Sequence, residues 1–412
     1  MDGAGRAGVV IAGAGQSGFQ AAFSLRTEGY DGPITLIGDE PHIPYQRPPL
    51  SKDFMAGKMD PDSLPLRPES FYEAQRIELR MGERIEAIET AGRAVVLASG
   101  ERLPFDSLIL ATGARNRRLT VPGAELPGVC YLRSVDEAVA IQERLEAARR
   151  VVIIGGGFIG LEMAAIAAAQ GREVVVVEAQ SRVMPRVVAP VISAFFQETH
   201  EARGVRFAFN AAVTELRGAA SVEFAHLSDG SMYAAELVVV GIGVVPNMEL
   251  AARAGLEVGN GIRVDEYLET GAPGIYAIGD CAWHPNRFAG GLARIESVQN
   301  GVDQARCVAA TIAGKRAPYD AVPWFWTDQF DLKLQMAGLS SGFDEVVVRG
   351  EAASRRFSVF YFREGKLLAV DSINRPGDHL VARKLLVAGV EITGAEAGDP
   401  GFDLKTAAAS RT

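Results

Sequence analysis

Residues 151–166 read VVIIGGGFIGLEMAAI. Apolar β-forming residues run into Gly155, Gly157 and Gly160, and an apolar helical pattern follows directly. This is the G-x-G-x-x-G spacing in the context that a dinucleotide site requires, with a strand before it and a helix after it. The first glycine permits a tight turn, the second lets a pyrophosphate approach the backbone, and the third lets the helix pack on the strand. The stretch predicts a nucleotide-binding βαβ unit rather than a structural glycine turn.

A second strand, predicted at 173–177, leads into Glu178. An acid at this place accepts a hydrogen bond from the ribose 2′-hydroxyl of NAD, and its charge would repel a 2′-phosphate. No arginine follows before Arg182, so the sequence predicts NADH rather than NADPH. The strand predicted at 237–243 also ends in glycine. The predicted NAD-binding residues are Gly155, Gly157, Ile159, Gly160, Glu178 and Gly243.

The same pattern opens the chain. Residues 9–25 read VVIAGAGQSGFQAAFSL, which places Gly13, Gly15 and Gly18 after a predicted strand. A further strand at 34–37 precedes the residues GDE. Two complete units predict two dinucleotides, and the economical pair is a bound flavin dinucleotide and an exchanging nicotinamide dinucleotide, with electrons passing between them.

Composition narrows the function classes. The 412 residues suggest two or three domains, and the net charge of −9 argues against nucleic acid or an anionic membrane as partner. No apolar run reaches the roughly 18 residues that span a bilayer. Residues 1–8 lack the basic start and apolar core of a signal peptide, so a disordered tail and a cytoplasmic protein are expected.

Cysteine and histidine spacing gives no support for thiol or metal chemistry. Cys130, Cys281 and Cys307 form neither C-x-x-C nor C-x₄-C, whereas a disulfide-reducing flavoenzyme needs two thiols close in sequence. The five histidines are scattered without ligand spacing. We expect inert thiols and no metal.

A proline-rich loop follows the first nucleotide unit. Residues 41–54 read PHIPYQRPPLSKDF, and the prolines favour an extended loop with a helix start near Ser51. Arg47 and Lys52 are cations of this loop. They belong either to a solvated turn or to a segment that lies along the flavin, and the residues alone leave both open.

Two more strand ends carry candidate ligands. Residues 106–113, DSLILATG, end in the turn Thr112 and Gly113, and residues 274–282, GIYAIGDCA, place Asp280 just after a strand. Open α/β sheets bind ligands at such carboxyl ends. Asp280 is therefore either an acceptor for a ribityl hydroxyl or the N-cap of a following helix.

From residue 323 the pattern changes to antiparallel strands, followed by a helix predicted at 381–388, which indicates a separate α+β domain. Trp324 and Trp326 alternate with Phe325 and so point the same way from an extended segment. They are either core residues or a cover for one face of the flavin.

Taken together, the motifs GAGQSG, PYQRPPLSK, LILATG, GGGFIGLE, GIGVVPN, YAIGDCA, RIESVQNGVDQA and PWFWTDQF resemble the putidaredoxin reductase family over roughly residues 8–386. These are FAD-containing, NADH-dependent reductases of 2Fe–2S ferredoxins in bacterial oxygenase systems. The resemblance implies an α/β fold with two Rossmann-like dinucleotide-binding domains, as in glutathione reductase, and a C-terminal α+β domain. The implied boundaries are 1–113 and 245–322 for FAD, 114–244 for NAD, and 323–412 for the C-terminal domain.

The resemblance also implies site residues. Lys52 pairs with Glu162 of the GLE motif beneath the nicotinamide. The expected mechanism adds Glu296 as a contact of the nicotinamide amide and Trp326 as the candidate cover of one flavin face. The alternative for Glu162 is a structural helix residue. The implied FAD-binding residues are Gly13, Gly15, Ser17, Asp39, Arg47, Lys52, Ile85, Thr112, Gly113, Arg133, Gly279, Asp280 and Val298.

The implied activity is hydride transfer from NADH to tightly bound FAD, then single-electron transfer to a 2Fe–2S ferredoxin that feeds a haem-thiolate monooxygenase. The alternatives are a rubredoxin reductase, a dioxygenase ferredoxin reductase, or a redox-regulated flavoprotein like apoptosis-inducing factor. A redox cysteine would be needed for an NADH oxidase. A monomer or weak dimer is expected.

A basic segment offers a docking site for an acidic ferredoxin. Residues 283–316 hold five cations against two acids. Complementary charge raises association rates. The alternative is a mixed solvated surface. The candidate docking residues are Arg287, Arg294, Arg306, Lys315 and Arg316.

Overall fold

The structure is a computed structural model that describes residues 7–410. The chain forms two compact units. Unit 1 comprises residues 7–46, Asp62–Arg115 and Val245–Pro323. Unit 2 comprises Arg47–Pro61, Asn116–Val244 and residues 324–410. The tail expected over residues 1–8 lies almost wholly outside the described residues.

The strands are β1 (Gly8–Ala12), β2 (Ile34–Gly38), β3 (Ile77–Met81), β4 (Ile85–Glu89), β5 (Ala94–Leu97), β6 (Arg102–Leu110), β7 (Ala114–Asn116), β8 (Val129–Tyr131), β9 (Arg150–Ile154), β10 (Glu173–Glu178), β11 (Arg206–Phe209), β12 (Val213–Arg217), β13 (Phe224–Leu227), β14 (Met232–Ala234), β15 (Leu237–Val240), β16 (Val244–Pro246), β17 (Ile262–Arg263), β18 (Ile275–Ala277), β19 (Ala282–Asn286), β20 (Gly291–Ala293), β21 (Trp324–Gln329), β22 (Leu332–Gly338), β23 (Glu345–Glu351), β24 (Arg356–Arg363) and β25 (Lys366–Ile373).

The α-helices are α1 (Gln16–Thr27), α2 (Glu69–Ala74), α3 (Val135–Ala147), α4 (Phe158–Ala169), α5 (Pro190–Glu201), α6 (Glu249–Arg253), α7 (Val298–Ile312), α8 (Pro376–Ala388), α9 (Gly394–Gly398) and α10 (Leu404–Ser410). Short 3₁₀ turns lie at Pro48–Ser51, Pro61–Ser63, Gly279–Cys281 and Ala352–Ser354. Among the helices between residues 7 and 410, none has both the length and the apolar character needed to cross a membrane.

Unit 1 is built on a parallel sheet of order β3-β2-β1-β6-β18. Every residue of β1 is buried, as expected for a strand covered on both faces. The chain order reverses between β1 and β6, which makes the glycine turn after β1 a topological switch point. Strands β5 and β4 extend the sheet from the first half of β6 in antiparallel fashion.

Unit 2 repeats this design in the parallel sheet β11-β10-β9-β15-β8. The antiparallel strands β12, β13 and β14 form a separate small sheet. The C-terminal part is a five-stranded antiparallel sheet of order β21-β22-β25-β24-β23 with α8 packed against it. Two Rossmann-like sheets and a C-terminal α+β part confirm the predicted fold class.

Three local features differ from expectation. The helix predicted at 381–388 begins at Pro376, since proline is well tolerated in a first helical turn. The helix start expected near Ser51 is instead the 3₁₀ turn Pro48–Ser51. The loop Arg47–Pro61, expected in the FAD domain, groups with unit 2. The three-domain boundaries themselves stay a prediction.

Candidate functional site

Both glycine turns hold the backbone where only glycine fits easily. Gly13 has φ +115° and Gly155 has φ +105°. A side chain at position 13 would overlap the carbonyl oxygen of Ala111, and one at position 155 would overlap that of Gly241. The first glycine of each motif therefore lets the chain turn against the neighbouring strand end.

The second and third glycines of each motif have different surroundings. Gly15 and Gly157 face open space, since among residues 7–410 only their own neighbours along the chain lie within 4 Å of where their side chains would start. Each is the N-cap of its helix and supplies no side-chain cap, so helical N–H groups stay available. Side chains at Gly18 and Gly160 would overlap the carbonyl of the first glycine of the same motif. Both cradles thus fit a dinucleotide pyrophosphate.

The acid of the second cradle is held by backbone amides. Glu178 Oε2 accepts from the Gly156 amide at 2.7 Å, and Oε1 accepts from the Gln180 amide at 2.9 Å. Arg182, the nearest following arginine, donates to two backbone carbonyls and a serine hydroxyl of its own unit. Its guanidinium is therefore engaged away from any 2′-phosphate.

In the first cradle the acid lies one residue further along the chain than in the second. Gly38 takes the place of Glu178, because each follows the strand residue whose carbonyl accepts a hydrogen bond from the first glycine of the motif. A side chain at Gly38 would come within 2.6 Å of Ala14 Cβ, where unit 2 has a glycine instead. Asp39, which is exposed, is thus the first acid that this edge can present.

Ser17 in unit 1 is wedged between two glycines. Side chains at Gly279 and Gly301 would each overlap its hydroxyl. The Gly279 amide donates to Gln304 Oε1 at 2.7 Å, and this amide is fully buried. Gly301 and Gln304 fall within the motif RIESVQNGVDQA, but the sequence analysis assigned a role to neither, because their contact with Gly279 joins segments that only the fold brings together.

The other predicted residues of unit 1 lie at the ends or starts of its strands and helices. The Thr112 hydroxyl donates to the Asn247 carbonyl at 2.6 Å, and the side-chain amide of Asn247 donates to the Thr112 carbonyl at 2.9 Å. Asp280 lies inside the 3₁₀ turn Gly279–Cys281, which leads into β19, so it does not cap a helix. Gly113 follows Thr112, Ile85 opens β4 as a buried residue, and half-buried Val298 opens α7.

Unit 2 contains a buried ion pair. Lys52 Nζ lies 2.8 Å from Glu162 Oε1, with 18% of the Lys52 side chain and 3% of the Glu162 side chain exposed. Ser51 donates to Glu162 Oε2 at 2.5 Å, and Thr327 donates to Oε1 at 2.6 Å. Burial raises the pKa of Glu162, and the ammonium and the two hydroxyl donors oppose that rise.

The remaining predicted residues of unit 2 lie around its loops and termini. Arg47 Nη1 donates to the Arg133 carbonyl at 2.6 Å. Trp326 is half-buried and lies 5.7 Å from Trp324 between ring centroids, so the two rings point the same way as predicted. Ile159, the second residue of α4, is 41% exposed and lies two residues after the open glycine. Gly243 follows β15.

The predicted docking surface stays a prediction, and the structure shows how its cations are paired. Only 10% of the Arg294 side chain is accessible, because it pairs with Glu296 at 2.6 Å and donates to the Asp280 carbonyl. Glu296 is correspondingly tied to Arg294. The other four cations each pair with an acid: Arg287 with Asp320, Arg306 with Asp303, Lys315 with Glu28, and Arg316 with Glu269. Folding thus offsets the positive charge counted along the sequence.

None of the three cysteines forms a disulfide with another described residue. Cys130, Cys281 and Cys307 are free, and Cys130 lies in unit 2 whereas the other two lie in unit 1. Burial raises the pKa of the Cys281 thiol, which donates to the Leu110 and Ile278 carbonyls, and raises that of Cys307 to about 11. All three are poor nucleophiles.

Comparison with known proteins agrees with this geometry. The family model described as pyridine nucleotide-disulphide oxidoreductase matches residues 7–305, and the one described as reductase C-terminal matches residues 324–408. Rhodocoxin reductase of Rhodococcus erythropolis is 49% identical over 402 residues, which cover 97% of this chain and 94% of that protein.

Two solved structures match nearly the full length. The ferredoxin reductase for the CYP199A2 system from Rhodopseudomonas palustris has a TM-score of 0.96 and 50% identity, covering 98% of this chain and 100% of that chain. The covalent putidaredoxin reductase–putidaredoxin complex has a TM-score of 0.95 and 40% identity, covering 98% and 99%. The resemblance to the putidaredoxin reductase family is confirmed.

The chain is an oxidoreductase that uses FAD and NAD(H). Two dinucleotide cradles, a buried lysine–glutamate pair and full-length similarity to the reductases therefore place it in the pyridine nucleotide-disulphide oxidoreductase family.

Proposed function

We propose that the chain is an NADH-dependent reductase of a 2Fe–2S ferredoxin that feeds a haem-thiolate monooxygenase. The observation that carries this proposal is similarity over the whole chain, C-terminal part included, to reductases of such electron carriers. Two dinucleotide cradles on one chain, with no closely spaced thiols among residues 7–410, support electron transfer in place of disulfide reduction. A cytoplasmic location and a monomer or weak dimer stay predictions.

FAD, when bound, supplies hydride acceptance from NADH and release of electrons one at a time. The protein's part is to hold and orient. The open glycine of each cradle receives a pyrophosphate at a helix N-terminus, and Asp39 and Glu178 accept from the two adenosine riboses. Lys52 is held by Glu162 within unit 2, where its ammonium would offer one positive charge to a bound dinucleotide. No general base is required of the side chains.

A direct test is the absorbance spectrum of the purified protein, followed by NADH titration and by ferredoxin-dependent cytochrome c reduction. We expect a yellow protein, bleaching by NADH, and fast turnover with a 2Fe–2S ferredoxin. Rubredoxin and a dioxygenase ferredoxin serve as alternative acceptors, and faster turnover with either replaces the proposed partner. A long-lived NADH complex with slow turnover on every carrier would instead favour the redox-regulated flavoprotein.

Coenzyme choice depends on Glu178. We expect NADH to be preferred over NADPH by roughly a hundredfold in kcat/KM. Glu178 accepts from the ribose of NADH and repels the 2′-phosphate of NADPH, and a difference of two charge-assisted contacts is worth about 3 kcal/mol. Glu178→Ala should erase most of this preference in steady-state ferricyanide reduction. Glu173→Ala removes an exposed acid at the far end of β10 and serves as the control. Equal use of both coenzymes by the unmodified protein would refute the assignment.

The ferredoxin surface is tested by charge reversal. Because the candidate cations pair with acids, we expect only a modest response: Arg306→Glu lowers the second-order rate of ferredoxin reduction a few-fold at low salt, and the difference fades as salt rises. Arg84→Glu, an exposed cation outside the candidate surface, is the control. A rate that ignores both salt and Arg306→Glu would remove this surface from consideration.

A further inference from the structure

The Lys52–Glu162 pair does not end at Glu162. Thr327, which donates to Glu162 Oε1, lies 3.4 Å from the Gln329 side-chain nitrogen. Gln329 Oε1 lies 2.9 Å from His200 Nε2. Thr327, Gln329 and His200 are fully buried. A continuous row of polar side chains therefore runs within unit 2 from a buried histidine on α5 to the partly exposed ammonium of Lys52.

The protons in this row all point one way. Thr327 has one hydroxyl proton, and because Glu162 Oε1 lies 2.8 Å from the Lys52 ammonium, the carboxylate is the acceptor for that proton at 2.6 Å. The Thr327 oxygen can then only accept, so the NH₂ end of Gln329 faces it. The carbonyl end of Gln329 must then accept from His200, which carries its proton on Nε2. One ionised carboxylate thus fixes the polarity of three neighbours.

The state of His200 agrees with this polarity. Burial is the main cause that lowers the pKa of His200 to about 4, so the ring is neutral near pH 7 and bears a single N–H. Its Nδ1 is buried and has no hydrogen-bond partner among residues 7–410. An unprotonated ring nitrogen without a donor costs less than a buried N–H without an acceptor. The charged groups that act on the row are Lys52 at one end and Arg203 near His200.

The sequence explains why these residues meet. Thr327 and Gln329 are two apart on β21, so they share one face of the strand, whereas Trp326 and Asp328 occupy the other. That polar face packs against α4, whose buried side is otherwise apolar, and reaches His200 on α5 through Gln329. Buried polar side chains in such a place need partners, and each finds its partner in the next member of the row.

We propose that Thr327, Gln329 and His200 are positioning residues, whose aligned donors keep Glu162 ionised and thereby hold the Lys52 ammonium in one place. The consequence for electron transfer rests on the proposed function; the ionisation of Glu162 does not. The row acts through Glu162, and none of its three residues belongs to either glycine turn.

The experiment compares Thr327→Val, which keeps the shape and loses the donor, with Thr327→Ser, which keeps the hydroxyl. Infrared spectra of the FAD-loaded protein, without NADH, follow the protonated carboxyl band through a pH titration. We expect Thr327→Val to raise the midpoint of Glu162 protonation by about one to two pH units, and Thr327→Ser to restore it. Glu162→Gln in the Thr327→Val background assigns the band.

Two further measurements separate positioning from general damage. Nitrogen NMR of histidine-labelled protein should show His200 protonated on Nε2, a measurement that needs no variant to fold. Ser358→Ala removes another buried hydroxyl, which lies 2.8 Å from Asp378 Oδ2 and 3.2 Å from the Ser372 hydroxyl and is not part of the row, so it should leave the Glu162 midpoint unchanged. A His200 protonated on Nδ1, or a Glu162 midpoint that ignores Thr327→Val, overturns the inference. Normal titration results with no ferredoxin turnover would instead defeat only the proposed function.

Discussion

Gly157→Val should abolish the use of NADH while the chain stays folded and keeps its FAD. A Cβ at this position meets open space and the backbone φ is negative, so we expect the fold to accept the side chain. The same space is where the pyrophosphate must approach the helix N-terminus. Losing two charge-assisted hydrogen bonds costs about 3 kcal/mol or more, so KM for NADH should rise at least about a hundredfold.

The neighbouring glycines supply controls for Gly157→Val. Gly155→Val places a side chain against the Gly241 carbonyl at a positive φ, and should lower the yield of folded protein. Gly15→Val should give a folded but colourless protein, because Gly15 has the same open surroundings in unit 1. Circular dichroism, the visible spectrum and NADH kinetics distinguish the three. A Gly157→Val protein with an unchanged KM for NADH would show that the cradle has been misassigned.

Local sequence was enough to predict both cradles. The glycine spacing, the apolar strand before it and the helix after it are all short-range signals, and each glycine in the structure meets the steric situation that its motif position implies. The doubly wound order of both sheets follows from such repeated βαβ units, since parallel strands joined by helices must cross over in the right-handed sense. The fold class is therefore predictable from short-range patterns.

The one-residue shift of the acid in unit 1 could not be predicted from the local sequence pattern. The motif predicts an acid at the end of the second strand, and unit 2 has Glu178 there. In unit 1 the methyl group of Ala14 fills the space, so Gly38 takes that place and Asp39 follows. Unit 2 has Gly156 where unit 1 has Ala14, and Glu178 where unit 1 has Gly38. Each pair joins segments that are distant in sequence, so the register between the strands is needed to predict it.

Charges were predicted least well because their partners are remote in sequence. The stretch 283–316 looks basic when its residues are counted, yet Lys315 pairs with Glu28 and Arg287 with Asp320. The row behind Glu162 was missed for the same reason. Thr327 and His200 lie 127 residues apart in the numbering, and no motif joins them. A count along the chain cannot replace the pairing that folding creates.

The buried pair should respond very differently to the loss of either partner. Lys52→Met leaves Glu162 buried with two hydroxyl donors and no cation, which should lower the free energy of unfolding by about 3 kcal/mol. Glu162→Gln keeps an acceptor for those donors and leaves Lys52 partly exposed, so the loss should be only about 1 kcal/mol. The double variant removes both charges and should recover most of the Lys52→Met loss, because no unpaired buried charge remains. Urea unfolding of the FAD-loaded proteins compares the midpoints. Equal, small losses in both single variants would mean that water screens the pair as it does on a surface, and Lys52 would then have no fixed place from which to act.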